Sequence, residues 1–279
     1  MRARAVALFV AVLPGVLGPA AAVSATRDAP SPVRAALIVA AERLTPGASV
    51  TLGVHLKLDR GWHVYWVNPG DSGLPTRVQF TAPEGFALGP LQWPLPKSFT
   101  QPGEIQGFGY EDEVLLWSSL AAPAEVRARE VTFGAEVSWL ACNERCIPGR
   151  ARLERKVPVG DRLVPGQQDL LRAWFARAPA AAGDAAVGVE MQRRAGGRFE
   201  IQVKIRDSSP QAIEFFPGAD PALEVRNTVA TPAPGGGRIV FDLHILAGQK
   251  PASDKYPCLV VWTDPDGQRR GAWVVVPIN

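Results

Sequence analysis

Short alternations of apolar and polar residues, each closed by proline or glycine, constrain this chain more than any other feature. Val50, Leu52, Val54, Leu56 and Leu58 alternate with Thr51, Gly53, His55 and Lys57. A period of two puts one set of side chains on each face of an extended backbone, so the run reads as a half-buried strand. Similar runs follow at residues 61–67, 77–81, 113–120, 131–140 and 150–157, with turn residues between them. Many short strands at close spacing point to an antiparallel sandwich. The 27 Gly and 26 Pro supply the interruptions, while 47% hydrophobic residues and nearly balanced charge exclude a collagen-like, coiled-coil or strongly charged disordered chain.

A second β series comprises the alternating Phe199, Ile201, Val203 and Ile205, then residues 238–246, 258–263 and 271–278. Asp264-Pro265-Asp266-Gly267 is a hairpin turn between the last two. Between the series, after Pro165-Gly166, Leu170, Leu171, Trp174 and Phe175 have helical spacing and mark one short junction helix. The expected fold is all-β: an immunoglobulin-like sandwich over residues 33–160, then a second, smaller β-sandwich-like domain over residues 161–279.

The segment 93–109 is dense in Pro94, Pro96, Pro102, Gly103, Gly107 and Gly109, too dense for regular structure. Its Trp93, Phe99, Ile105 and Phe108 argue for order, so it is expected to be an ordered flap.

Arg2 and Arg4, an apolar stretch from Ala5 to Leu17 and small residues at 20–25 form an expected signal peptide, residues 1–25, cleaved near Ala22 or Ala25. The apolar stretch is too short to span a bilayer, and no later one approaches the roughly 18 residues needed, so no membrane span is expected. Cleavage leaves 28 basic against 27 acidic side chains, a charge of +1, which makes nucleic acid a poor partner. Export would place the cysteines where disulfides form.

Cys142 and Cys146 carry the strongest chemical signal, in Trp139-Leu140-Ala141-Cys142-Asn143-Glu144-Arg145-Cys146-Ile147-Pro148-Gly149. A strand-like run precedes them and Pro148-Gly149 follows, so a tight loop at the end of two strands is expected rather than a helix. A disulfide closing so short a loop adds only about 2 kcal/mol through chain entropy. The residues leave a redox-active pair, a structural disulfide and a metal site open. The metal reading is weakest, because His55, His63 and His244 are scattered and cleavage leaves only Met191 as a thioether; no metal and no cofactor are expected. Cys258, in the apolar run with Leu259, Val260 and Val261, reads as an inert buried thiol. Gly70-Asp71-Ser72-Gly73 is similar to a serine-protease nucleophile segment, but no barrel fits between it and His55 or His63, so it reads as a turn.

Together, Gly61-Trp62-His63-Val64-Tyr65-Trp66, the turn Asn68 to Gly73, Gly109-Tyr110 and the cysteine segment resemble the N-terminal periplasmic domain of the DsbD thiol:disulfide interchange proteins, most closely the ScsB branch. The resemblance implies a periplasmic location and a thiol:disulfide oxidoreductase-type electron relay through Cys142 and Cys146. It makes Cys146 the sulfur that forms mixed disulfides and Cys142 the resolving one. It places His63, Tyr65 and Tyr110 beside the pair, and makes Phe99 and Phe108 the shielding aromatics of a cap. The implied partners are periplasmic thioredoxin-fold proteins and a separate transmembrane electron donor, since no multi-helix membrane module or CxxC module is read in this sequence. Cytochrome c biogenesis and copper tolerance are the settings it suggests. The alternative is a non-catalytic binding module, for protein or copper, with a structural disulfide.

Overall fold

Each alternating run of the sequence is a strand in a computed structural model of the chain, which describes residues 31–184 and 187–278. The expected signal peptide lies outside the described residues. In chain order the first series is β1 (Val33–Val39), β2 (Ala41–Arg43), β3 (Ser49–Leu58), β4 (His63–Gly70), β5 (Arg77–Thr81) and β6 (Ala87–Leu88). It continues with β7 (Lys97–Gln101), β8 (Ile105–Glu111), β9 (Glu113–Ala121), β10 (Glu130–Cys142), β11 (Cys146–Pro158) and β12 (Val164–Pro165). One sheet has the order β1-β3-β9-β6, and another the order β11-β10-β4-β8-β7, with β5 also paired to β10.

These two sheets share one core. Leu52, Val54 and Leu56 of β3 enter it from one side, and Val131, Phe133, Ala135, Val137, Trp139 and Ala141 of β10 from the other. The even-numbered residues of β10 face outward until the strand ends at Cys142, which is buried.

The helix α1 (Gln168–Phe175) buries Leu171 and Trp174, as its apolar spacing requires. After it come β13 (Val187–Arg193), β14 (Arg198–Ile205), β15 (Ala212–Pro217), β16 (Leu223–Ala233), β17 (Gly236–Ile245), β18 (Lys255–Thr263) and β19 (Arg269–Pro277). They form sheets of order β13-β14-β17-β16 and β15-β18-β19 around a second core. In that core Phe241 stacks between Phe199 and Phe215.

Strand β18 is buried on both faces. Cys258, Val260 and Trp262 belong to the second core, whereas Leu259 and Val261, with Phe216 of β15, join the first. Trp66 of β4 meets Phe216 edge-on and stacks with Trp273 of β19. Both sandwiches lie within one compact unit, Pro32–Asn279.

Two local expectations are corrected. The segment read as an irregular flap is a regular hairpin of β7 and β8, paired from Lys97↔Gly109 to Gln101↔Ile105. Its Pro94 and Pro96 precede β7, Pro102-Gly103 fall in the turn, and Gly107 and Gly109 stand where no side chain fits. A Cβ on Gly109 would lie 2.1 Å from the Val64 carbonyl oxygen. Likewise Pro148 and Gly149 do not end the cysteine loop but continue β11 as far as Cys146. Pro148 is tolerated because β11 is the edge of its sheet. The strands β1, β2, β6, β12, β13, β15 and β16 were not expected from the sequence.

Candidate redox site

The two cysteines close the β10–β11 hairpin. Cys142 and Cys146 are its last cross-strand pair, their Cα atoms 4.1 Å apart, and they are joined as a disulfide. Residues 143–145 make the turn, in which the Asn143 N–H donates to the Arg145 carbonyl. Cys142 is 1% exposed, while Cys146 is exposed. On its other side β10 pairs with β4, and there Cys142 is opposite His63. Paired residues share a sheet face, so His63 stands on the same face as both sulfurs.

An aromatic group occupies that face. The His63 ring lies 4.3 Å from Phe99 and 5.2 Å from Tyr65, centroid to centroid, and Tyr65 lies 6.0 Å from Phe99. The Gln101 amide donates to the Tyr65 hydroxyl at 2.9 Å and sits 3.4 Å from His63 Nε2. Phe99 reaches β4 across an intervening strand because β8 carries glycine there: a Cβ on Gly107 would meet the Phe99 ring at 2.2 Å. Burial pushes the His63 pKa down, against the opposing pull of the Glu111 carboxylate.

Phe108 and Tyr110 are on the opposite face of β8. Phe108 packs edge-on against Phe216, centroids 5.2 Å apart. Tyr110 is buried, donates its hydroxyl to the Pro94 carbonyl, and has its pKa pushed well up by burial. The structure therefore brings His63, Tyr65 and Phe99 together with the cysteine pair and directs Phe108 and Tyr110 elsewhere. Gln101 was missed by the sequence reading. Its two-residue offset from Phe99 would have revealed it, had residues 97–101 been read as a strand.

Beside the hairpin runs a groove of about 520 Å³ lined by Leu74, Pro75, Arg77, Trp139, Pro148 and Arg150. Arg77 and Arg150 both pair with Ser138, from opposite sides of β10, on the face that carries the cysteines. Among the described residues no three His, Cys, Asp or Glu side chains converge as metal ligands. Also among them, no helix is long and apolar enough to cross a membrane.

The family model of the N-terminal part of thiol:disulfide interchange protein DsbD matches residues 29–158. This segment is a DsbD N-terminal domain. The match takes in strands β1 to β11, and with them both cysteines and the aromatic group. No curated protein matches the chain in sequence. Among solved structures, the N-terminal periplasmic domain of ScsB from Proteus mirabilis is similar with a TM-score of 0.63 at 17% identity, covering 88% of this chain and 92% of that one. That coverage extends beyond the DsbD-type domain, so the shared fold includes much of the second sandwich. A variant of BcpA, the major pilin subunit of Bacillus cereus, aligns over 88% of this chain and 66% of its own with a TM-score of 0.30 at 10% identity, too low to carry an argument.

Proposed function

We propose that this chain is a periplasmic thiol:disulfide exchange protein that relays electrons through Cys142 and Cys146. The reading takes residues 1–25 as a signal peptide, residues 33–160 as the redox domain and residues 161–279 as a second module. The observation that carries it is the unequal depth of the two sulfurs within a DsbD N-terminal domain: Cys146 is exposed at the hairpin tip and Cys142 is buried beside it.

In the reduced protein, the Cys146 thiolate attacks one sulfur of a partner's disulfide. An S–S bond forms between the proteins, the partner's S–S bond breaks, and one partner thiolate leaves and takes a proton. Cys142, held within bonding distance, then attacks the Cys146 sulfur as its thiolate, having lost a proton. This expels the second partner thiolate and forms the Cys142–Cys146 disulfide. Two electrons have passed to the partner, which is now a dithiol. A dithiol of a thioredoxin-like or membrane-bound donor restores the pair by the same exchange in reverse.

Access controls the rate of such exchange. Phe99 supplies the shield in this reading, with His63, Tyr65 and Gln101 supporting it; Phe108 does not, since its ring turns to Phe216.

A redox titration of the full chain tests the reading. A relay should titrate between about −270 and −120 mV, whereas a structural disulfide should lie below about −300 mV. The second reading, a binding module with a structural disulfide, draws on the register of the hairpin, in which Cys142 and Cys146 are already opposite one another. A potential below that limit would select it.

A further inference from the structure

Ser98 and Phe99 are consecutive in β7 and therefore face opposite ways. Phe99 faces His63 and Tyr65. Ser98 faces the second sandwich, where its hydroxyl donates to Glu214 Oε1 of β15 at 2.9 Å. The other oxygen of Glu214 accepts from Arg269 Nη2 of β19 at 2.6 Å, and the same nitrogen lies 2.9 Å from the Pro96 carbonyl oxygen, just before β7. One carboxylate and one guanidinium from the second sandwich thus hold Ser98 and Pro96, the residues on either side of Lys97, where the Phe99 strand begins.

These contacts differ in kind from the aromatic packing at the same junction. The packing of Trp66, Phe216 and Trp273 is apolar and largely buried, so separating it would expose core. The Glu214 and Arg269 side chains are 29% and 30% exposed, so water can replace their hydrogen bonds one at a time. The strand can then lift without parting the two sandwiches, a local opening rather than a global one.

We propose that Glu214 and Arg269 are positioning residues that latch the Phe99 strand over the cysteine pair, so that the second sandwich sets how readily thiols reach the disulfide. The inference rests on the exchange function above and assigns residues 161–279 a part in it. Losing the net contribution of one hydrogen bond shifts an opening equilibrium about fivefold.

The test is the rate at which dithiothreitol reduces the disulfide in the full chain, under native conditions. Glu214→Ala and Arg269→Ala should each accelerate reduction about fivefold. Glu214→Gln, which keeps an acceptor for Ser98 but loses the ion pair, should fall between, and Ser98→Ala gives a milder disruption if a charge-removing variant folds poorly. The decisive readout is the double variant: adding Glu214→Ala to Phe99→Ala should change nothing further, because the shield is already gone. Wild-type rates in the single variants, or an undiminished Glu214→Ala effect in the Phe99→Ala background, would overturn the latch while leaving the exchange function standing. A disulfide that dithiothreitol cannot reduce in any variant would overturn both.

Discussion

Phe99 and His63 lie on strands that are not neighbours, yet their ring centroids are 4.3 Å apart. The contact depends on the bare backbone of Gly107 between them, where a Cβ would come within 2.2 Å of the Phe99 ring. Gly107→Ala should therefore push the ring out and lower stability by about 1–3 kcal/mol, the usual range for overpacking. Most of that loss should vanish when Phe99→Ala is combined with it. Thermal melts of the two single variants and the double variant check this coupling.

The two faces of β8 predict different outcomes for its neighbouring aromatics. Phe99→Ala should speed alkylation of the reduced cysteines by iodoacetamide with little change in melting temperature. Phe108→Ala should instead cost about 2 kcal/mol through lost packing on Phe216 and leave alkylation unaffected. Equal acceleration in both would show that the face assignment does not govern access.

The depth difference between the sulfurs predicts a division of labour. Cys142→Ser leaves the exposed Cys146 able to attack a partner but nothing to resolve the product, so mixed disulfides with thioredoxin-fold partners should accumulate. Cys146→Ser leaves only a buried thiol and should trap few. Non-reducing gels of a periplasmic extract after acid quenching would count the trapped species; equal trapping by both variants would remove the assignment.

Cys258 should stay out of this chemistry. It is fully buried, and burial pushes its thiol up to about 12. After reduction, native iodoacetamide treatment should label the exposed Cys146 first, with Cys258 labelled only after unfolding. Peptide mass spectrometry would show this directly.

Stability should fall on acidification. Burial holds His63 and His55 below the ordinary histidine value of about 6.5, against the opposing carboxylates of Glu111 and Glu113. As pH drops through about 6.5, the unfolded chain takes up protons that these two folded sites refuse, so the unfolded state gains until the lower folded values are passed. The melting temperature should decline from about pH 7.5 to 5.5, and His63→Gln or His55→Gln should each flatten that slope.

Sequence alone determined the elements whose signal is local. A period of two in the apolar residues can satisfy only an extended strand with one buried face, so β3, β10 and β14 were legible without coordinates. The spacing of Leu170, Leu171, Trp174 and Phe175 likewise identified α1, and the apolar run before Cys142 placed the cysteine pair at a strand end. Density of proline and glycine misled at residues 93–109, because the sequence does not say whether a glycine marks a turn or a crossing beneath a ring. Only the tertiary structure decided that Gly107 lies under Phe99, and hence that Phe99 and Gln101 join His63 while Phe108 and Tyr110 turn away: a one-residue change of register would have exchanged the two sets. The grip of Glu214 and Arg269 on Pro96 and Ser98 joins residues more than 100 positions apart, and such contacts arise from how two sandwiches pack, for which no local pattern exists.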